Sequence, residues 1–344
     1  VLASGASYYA SGTVEINSHL EISPGAIILF AEDKALSVKT EGTLIANAAE
    51  SEKIIKKKKN ADAGVYWKGL YVSSNDSRNI LANVEVSYAG NSEWGFSGSN
   101  HPGAIGIEDG KLGLSNTTVI NSKAYGIYVK SGTFNEFNSN AFDSNTDVDI
   151  VLMANSVSKI DAATTFTNNG NLNGVMIYGS ELTEEATWVN LKGEAKFQIA
   201  GDLDINAGLI LKPGADLVSN QDVLITVGKS GYLNAVGTAE SMITFTTADI
   251  AGEILWGGIF IRSSHAMNVL DYVNIDYAGG REMPFSGPNR VTALGGDDSD
   301  SPKVELTKGK TAGGECSIAS IEGIHGMAGC RFDEDERYLV GRRG

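Results

Sequence analysis

The chain has 344 residues, of which 42% are hydrophobic, and it contains 41 glycines but only 6 prolines. This apolar content excludes a disordered chain, and the frequent glycine, asparagine and serine favour short strands joined by tight turns. The formal net charge of −15 argues against nucleic acid or an anionic membrane surface as a partner, because both would repel the protein. No apolar run reaches the length of about 18 residues that a transmembrane helix needs.

Short strands are predicted from the beginning of the chain. Apolar and polar residues alternate in brief bursts that end at glycine, Pro-Gly or Asn-Ser breakers. No stretch keeps the spacing of an amphipathic helix over several turns, so we expect an all-β fold. The first bursts are Val14 with Ile16, Leu20 with Ile22, Leu36 with Val38, and Leu44 with Ala46.

A lateral loop is predicted after the first Tyr-Ala-Gly segment. The connection is longer than a regular coil requires, and it carries Trp94, Phe96 and His101. Loops on rigid scaffolds often hold functional groups, and sugar rings stack on exposed aromatic faces. These three residues are therefore candidate glycan-binding residues. Phe96 recurs in a second copy of the loop, so an anchoring role is the alternative for this residue.

The segment that follows reveals the period of the fold. Val119, Phe142 and Phe166 recur at a spacing of about 23 residues, and each precedes polar turn residues. This is the length of one coil of a parallel β-helix, in which three short strands complete a circuit and the next coil stacks on it. We expect the three apolar residues in an interior column and the turn asparagines in a hydrogen-bonded ladder. These asparagines are Asn121, Asn145 and Asn169.

The chain contains one internal duplication. Residues 12–98 align with residues 201–287 without a gap at an offset of 189, and about 26 of roughly 87 pairs are identical. Trp67 and Trp256 are equivalent, which favours a structural role for both. We expect one continuous β-helix over residues 1–344, with a first unit at 1–179 and a second at 180–344. Residues 180–191 are read as turn and strand, although Ser180 could cap a helix.

The repeated pattern resembles that of secreted bacterial β-helix repeat proteins. It includes LEISPGAIILF, TEGTLIANA, YWKGLYV and VSYAG in the first copy, and LILKPGADLV, ITFTTA, LWGGIFI and IDYAG in the second. The resemblance implies a single-stranded right-handed parallel β-helix of the pectin-lyase-like class. That class includes polysaccharide-cleaving enzymes as well as surface proteins without catalytic activity.

The second lateral loop adds further candidates. It carries Phe285, which repeats Phe96, and Arg290, and both are predicted to take part in ligand binding. The acidic residues that follow offer oxygen ligands with a spacing that suits Ca²⁺, and a solvated loop is the alternative. No other cofactor is predicted. The acidic residues are Asp297, Asp298 and Asp300.

No catalytic residue is assigned. An Asn-Thr-Asp segment ending at Asp147, an acidic pair beginning at Asp297 and a histidine at 325 resemble polygalacturonase elements. However, about six coils separate the two aspartates, which is roughly 30 Å at the spacing of stacked strands. Inverting hydrolysis needs carboxylates about 6.5–9.5 Å apart. Cys316 and Cys330 could form one disulfide or remain two free thiols.

The sequence therefore predicts a non-enzymatic, extracellular or cell-surface β-helix that binds a glycan or another surface macromolecule. Outer-membrane anchoring and a periplasmic location are alternatives, and the opening residues show no signal peptide. Two other functions remain open. One is a polysaccharide lyase or hydrolase assisted by Ca²⁺ near Asp297, and the other is a structural adhesin or stalk.

Overall fold

The computed structural model describes residues 1–58, 64–96, 101–285, 290–296, 305–306 and 309–310. Regular structure in these residues is almost entirely β-strand, which confirms the all-β prediction. Their only helical segments are α1 (Ala154–Val157) and the 3₁₀ turn Glu50–Glu52. The residues form two compact units. Unit 1 comprises Val1–Met176 with Leu191–Ala195, and unit 2 comprises Ile177–Asn190 with the described residues from Lys196 onwards.

Unit 1 is built from short strands in quick succession. Where two successive strands are separated by one or two residues, an intervening residue often has a left-handed backbone, as at Asn83 with φ of 54° and Asn116 with φ of 46°. Asparagine tolerates this conformation better than most residues. The strands are β1 (Ser7–Ala10), β2 (Val14–Ile16), β3 (His19–Ile22), β4 (Ile27–Phe30), β5 (Ala35–Val38), β6 (Thr43–Asn47), β7 (Ile54–Lys58), β8 (Gly69–Val72), β9 (Ile80–Ala82), β10 (Val84–Ser87), β11 (Glu93–Trp94), β12 (His101–Ile107), β13 (Gly110–Ser115), β14 (Thr118–Ile120), β15 (Tyr125–Val129), β16 (Gly132–Asn138), β17 (Ala141–Asp143), β18 (Ile150–Leu152) and β19 (Thr165–Thr167), with β20 (Gly174–Ile177) at the unit boundary.

These strands stack in parallel into three sheets. Sheet 1 has the order β1-β4-β7-β10-β14-β17-β19, sheet 2 begins β2-β5-β8-β12-β15-β18, and sheet 3 has the order β3-β6-β9-β13-β16. Up to β10, each strand pairs with the strand three places earlier in the chain. The sheets therefore grow together, one strand each per circuit, which is compatible with a parallel β-helix.

Circuit length varies more than the sequence period suggested. In unit 1, the circuit that joins Ser7 to its partner Ile27 is short, whereas the circuit that joins Ile45 to Ile80 is much longer. The expected period holds for β14, β17 and β19, which pair through Val119, Phe142 and Phe166. Longer circuits carry additional residues between strands, and the register shifts between Leu112 and Gly113 in the β13–β16 pair.

The predicted interior column is present in unit 1. Val119 pairs with Phe142, and Phe142 pairs with Phe166. All three side chains are buried, and the rings of Phe142 and Phe166 are stacked with their centroids 5.5 Å apart. Like residues therefore lie on like residues, as expected for stacked coils.

The asparagine ladder exists with one correction. The N–H of Asn145 donates to Oδ1 of Asn169 at 2.8 Å, and the N–H of Ser122 donates to Oδ1 of Asn145 at 2.9 Å. The first member of the ladder is thus Ser122, and the prediction of Asn121 was wrong by one position. Asn121 instead occupies the left-handed position, which Ser144 and Asn168 take in the next two coils.

Unit 2 repeats this parallel stacking. Residues 180–191 contain two strands, as predicted. The strands are β21 (Ser180–Leu182), β22 (Ala186–Trp188), β23 (Lys196–Ile199), β24 (Leu203–Ile205), β25 (Gly208–Leu211), β26 (Asp216–Ser219), β27 (Leu224–Val227), β28 (Tyr232–Val236), β29 (Ile243–Thr247), β30 (Gly258–Ile261), β31 (Val269–Asp271), β32 (Val273–Ile275), β33 (Glu282–Met283), β34 (Arg290–Val291), β35 (Leu294–Gly296), β36 (Glu305–Leu306) and β37 (Gly309–Lys310). They form the sheets β21-β24-β27-β30-β35 and β22-β25-β28-β31-β36, a run β23-β26-β29-β32-β37, and a separate β33-β34 hairpin.

Duplicated residues make the same contacts in both copies. Trp67 and Trp256 are completely buried. The indole N–H of Trp67 donates to the Ser87 carbonyl at 2.9 Å, and that of Trp256 donates to the Asp276 carbonyl at 2.8 Å. Because a buried indole N–H needs a partner, each ring fixes the strand end that supplies the carbonyl. Both tryptophans therefore have a scaffold role in their own unit.

Candidate functional site

Each of the two lateral loops contains a short antiparallel strand pair. In unit 1, β11 pairs with the start of β12 through Trp94 and His101. In unit 2, β33 pairs with β34 through Met283 and Arg290. The two pairs are separated by the same offset as the duplicated segments, so the hairpins are equivalent although their sequences differ. The tips, residues 97–100 and 286–289, lie outside the described residues.

Trp94 and Phe96 are buried beneath the unit 1 hairpin, with exposed fractions of 3% and 4%. The expectation that they present open aromatic faces is therefore not met. Their position depends on Gly106, where an added Cβ would lie 2.7 Å from Cδ1 of Trp94 and 3.0 Å from Cζ of Phe96. The indole N–H of Trp94 also donates to the Gly103 carbonyl at 3.1 Å. Whether these residues contact a ligand remains a prediction.

Six rings form a continuous row over sheet 2 of unit 1, which we call the aromatic row. Gly106 pairs with Tyr71 of β8 on one side and Tyr128 of β15 on the other, so the hairpin rings fill the gap that the glycine leaves. Adjacent ring centroids in the row are 4.6–6.1 Å apart, within the range of favourable aromatic contacts. The row consists of Tyr71, Trp94, Phe96, Tyr128, His101 and Tyr125.

His101 and Tyr125 form one partly exposed end of the row, and Tyr71 at the other end is also half-buried. His101 and Tyr125 are half-buried, whereas Tyr128, which lies against them, is only 3% exposed. The imidazole of His101 stacks on Tyr128 with centroids 4.6 Å apart. The partly exposed rings are thus held by a buried ring, which reduces the conformational entropy that a ligand would have to remove on binding.

Two phenol groups of the row, those of Tyr71 and Tyr125, are held in their neutral form. Burial, followed by a hydrogen bond to Oε2 of Glu108 at 2.9 Å, raises the pKa of Tyr71 to about 12. Lys130 lies 3.1 Å from Oε1 of the same carboxylate. Burial also raises the pKa of Tyr125, and the negative charge of Asp147 adds to this effect. At neutral pH these phenols can donate hydrogen bonds and are poorly suited to act as bases.

A cation lies beside the buried part of the row. Nζ of Lys68 is 5.3 Å from the ring centroid of Trp94, within the range of a cation–π contact. Nearby, Lys123 lies 5.9 Å from the ring of Tyr66 and donates to Oδ1 of Asn91 at 3.1 Å. The surroundings of the row therefore supply ammonium and amide groups as well as aromatic rings.

Two positions of this packing carry apolar residues in unit 2. Phe260 stands where unit 1 has Tyr71, and Met283 stands where it has Trp94. Phe285 is half-buried and packs edge-on against Phe260, with centroids 5.3 Å apart. Gly295 takes the role of Gly106, since an added Cβ would lie 2.8 Å from the Met283 sulfur. Arg290, the remaining predicted binding residue, lies in β34.

The glycines under the hairpins were missed in the sequence analysis. Gly106 and Gly295 are also 189 residues apart, but they lie beyond the two aligned segments, residues 12–98 and 201–287. Continuing the alignment past Gly98 would have paired them. A glycine retained in a strand, where it costs stability, is a signal of close approach by another group.

A buried carboxylate lies in the asparagine ladder of unit 1. The side chain of Asp149 is completely buried, and its oxygens accept hydrogen bonds from Asn145, Asn169 and Gly174 at 2.8–3.1 Å. Burial raises the pKa of Asp149 to about 7, although the bonds from Asn145 and Gly174 act in the opposite direction. Because the group is sealed from solvent, it cannot contact a polysaccharide directly.

The remaining predictions fall largely outside the described residues. Asp297, Asp298 and Asp300 lie there, as do Cys316 and Cys330, so the calcium and disulfide hypotheses stay predictions. Within the described ranges, no cluster of three or more histidine, cysteine or acidic residues could hold a metal ion. No helix among those residues is both long and apolar enough to cross a membrane.

Comparison with known proteins gives no relative: no family model, curated protein or solved structure matches the chain.

Proposed function

We propose that the protein is an extracellular, right-handed, single-stranded parallel β-helix with an internal duplication, and that unit 1 binds a glycan at its aromatic row. The parallel stacking of every strand in the three sheets of unit 1 supports the architecture. Equivalent contacts of Trp67 and Trp256 support the duplication. In this proposal Trp94 and Phe96 anchor the site, while His101 and Tyr125 contact the sugar.

One observation carries the proposal, namely the divergence of the two hairpin sites. Both copies keep a glycine under the hairpin and a phenylalanine packed near it. Only unit 1 adds phenol and imidazole groups at the described edge of this packing. Phe260 in place of Tyr71, and Met283 in place of Trp94, show that these two positions can be packed with apolar side chains. The polar edge of unit 1 is therefore available for recognition.

The chemistry of the row suits binding to a hydroxylated ligand. A sugar presents C–H faces that pack on aromatic rings and hydroxyl groups that accept or donate hydrogen bonds. Neutral phenols such as Tyr125 donate to hydroxyl oxygens, and the nearby carboxylate of Asp147 accepts from hydroxyl hydrogens. A high phenol pKa disfavours proton abstraction, which is why binding is proposed ahead of cleavage.

The test combines a glycan array with titration calorimetry on the best ligand. Replacing Tyr125 or His101 by alanine should weaken binding by about 2- to 13-fold, in keeping with the loss of roughly 0.5–1.5 kcal/mol of stacking energy. Tyr9→Ala provides a matched control, because Tyr9 is 50% exposed in β1 and is remote in sequence from the row.

Three results would contradict the proposal. The first is an array without any bound glycan, and the second is equal weakening by Tyr9→Ala and Tyr125→Ala. The third is release of unsaturated or reducing sugar ends during incubation, which would favour a lyase or hydrolase. Thermal unfolding of each variant should be recorded alongside binding, so that loss of affinity is not confused with loss of folding.

A further inference from the structure

Two Asn-Gly pairs lie close together in unit 1, at Asn169-Gly170 and Asn173-Gly174. In such a pair, the main-chain nitrogen of glycine can attack the side-chain amide of asparagine and close a five-membered ring. The absence of a Cβ on glycine removes the steric hindrance that other residues oppose to this attack. The two pairs share this sequence chemistry, and their hydrogen-bond partners differ.

At Asn173-Gly174 the partners suit ring closure. The N–H of Gly174 donates to Oδ2 of Asp149 at 3.1 Å. Oδ1 of Asn173 accepts from the N–H and from Nδ2 of Asn169, at 3.0 and 2.9 Å. A backbone N–H can only donate, so the atom that it contacts on Asn173 must be the carbonyl oxygen. The attacking nitrogen thus faces a carboxylate, and the attacked carbonyl faces two donors.

From this arrangement we propose that Asn173 is a self-modification site, which forms a succinimide in the folded protein with the Asp149 carboxylate as the base. Asp149 accepts the proton of the Gly174 amide, and the Gly174 nitrogen bonds to Cγ of Asn173. The Cγ–Nδ2 bond then breaks, and the nitrogen leaves as ammonia with the proton from Asp149. Water subsequently opens the ring and leaves aspartate or isoaspartate at position 173.

The donors from Asn169 serve the same step. Negative charge builds up on Oδ1 of Asn173 when Cγ becomes tetrahedral, and donors fixed in advance stabilise such charge. Nδ2 of Asn169 also donates to Oδ2 of Asp149 at 2.8 Å, which holds the base and the attacked carbonyl in one network. The raised pKa of Asp149, about 7, makes its carboxylate a stronger base than an ordinary aspartate.

Asn169-Gly170 provides an internal control. The N–H of Gly170 donates to the main-chain carbonyl of Asn145 at 2.9 Å, and a neutral carbonyl is too weak a base to remove an amide proton. Oδ1 of Asn169 accepts a bond from the N–H of Asn145, whereas Oδ1 of Asn173 accepts two. The nitrogen of Gly170 therefore faces a main-chain carbonyl, whereas the nitrogen of Gly174 faces a carboxylate.

The experiment is peptide mapping by mass spectrometry on purified protein aged at neutral pH, both native and in urea. Loss of ammonia, followed by gain of water, is quantified at each asparagine. In urea we expect similar rates at the two sites. The ratio of the Asn173 rate to the Asn169 rate should be at least tenfold larger in the native protein than in urea. A smaller ratio, or an unmodified Asn173, overturns the proposal.

Two further measurements isolate the role of Asp149. Asp149→Asn should reduce the native rate at Asn173 to that at Asn169, with folding checked by circular dichroism. If this variant does not fold, the pH profile of the wild-type protein decides. With Asp149 as base, the native rate levels off once this carboxyl group is ionised, because the amount of active base then no longer changes with pH. The charge of Asp143 acts on Asp149 and raises its pKa. A tenfold rise per pH unit that continues without a plateau indicates hydroxide as the base and refutes the proposal.

Discussion

The buried carboxylate of Asp149 should make unit 1 less stable as the pH rises towards neutrality. Its pKa in the folded protein is about 7, compared with 3.8 for an ordinary aspartate, mainly because of burial. Below about pH 3.8 the group is protonated in both the folded and unfolded chain, and its full contribution to stability is present. Above that pH the unfolded chain releases the proton first, so stability falls until the folded state has also released it.

The size of this effect follows from the difference between the two pKa values. Because a tenfold change in proton affinity corresponds to about 1.4 kcal/mol, the difference between 3.8 and about 7 amounts to about 4 kcal/mol between pH 4 and pH 7. Asp149→Asn removes the titration and keeps the shape of the side chain. The variant should therefore gain stability relative to the wild type by up to about 1.4 kcal/mol per pH unit over this range.

Urea unfolding followed by tryptophan fluorescence, repeated at several pH values, measures this difference directly. The comparison with Asp149→Asn cancels the contributions of the other carboxylates, which both proteins share. A difference that stays constant with pH, or that changes in the opposite direction, would refute the reasoning. It would mean that the donors from Asn145, Asn169 and Gly174 outweigh burial and keep the carboxylate ionised.

Two further substitutions and one control substitution test the packing of unit 1. Gly106→Ala should lower the melting temperature, at a cost of about 1–3 kcal/mol, because the new Cβ would lie 2.7 Å from Trp94. Gly95→Ala, in the same loop, has nothing within 4 Å of the added Cβ and should leave the melting temperature nearly unchanged. Phe142→Ala should cost about 3–5 kcal/mol in urea unfolding, since it empties the middle of a stacked column. Equal effects of the two glycine substitutions, or a cost below about 1 kcal/mol at Phe142, would contradict this account.

The repeat period predicted the interior of the fold better than its turns. Val119, Phe142 and Phe166 could be aligned because an interior position excludes polar residues, so spacing alone identifies it. Turn positions lack that selectivity. Asparagine suits both the left-handed site occupied by Asn121 and the ladder site occupied by Asn145, and the sequence offers no means of distinguishing these two sites.

The aromatic loop shows a second limit of sequence reasoning. Trp94 was expected to be exposed because it lies in an insertion, and insertions usually project into solvent. For Phe96, which is repeated, an anchoring role was the alternative, and its burial agrees with that role. Their burial depends on Gly106, which follows later in the chain and lies in a different strand. A glycine in a strand does not by itself identify the aromatic residue that packs on it. Only the pairing of Gly106 between Tyr71 and Tyr128 defines the space that the indole fills.

Comparison of the two copies distinguishes the residues that packing requires from those that are specific to unit 1. The two copies keep the glycine under the hairpin, the buried tryptophan and the phenylalanine, because each contributes to packing in its own unit. They differ at Tyr71 and Phe260, and at His101 and Arg290, which occupy equivalent strand positions. Since Phe260 packs against the unit 2 hairpin at the position equivalent to Tyr71, packing does not require the hydroxyl of Tyr71. Its bond to Glu108 instead fixes a polar edge beside the rings, which is the property expected of a surface that recognises a hydroxylated ligand.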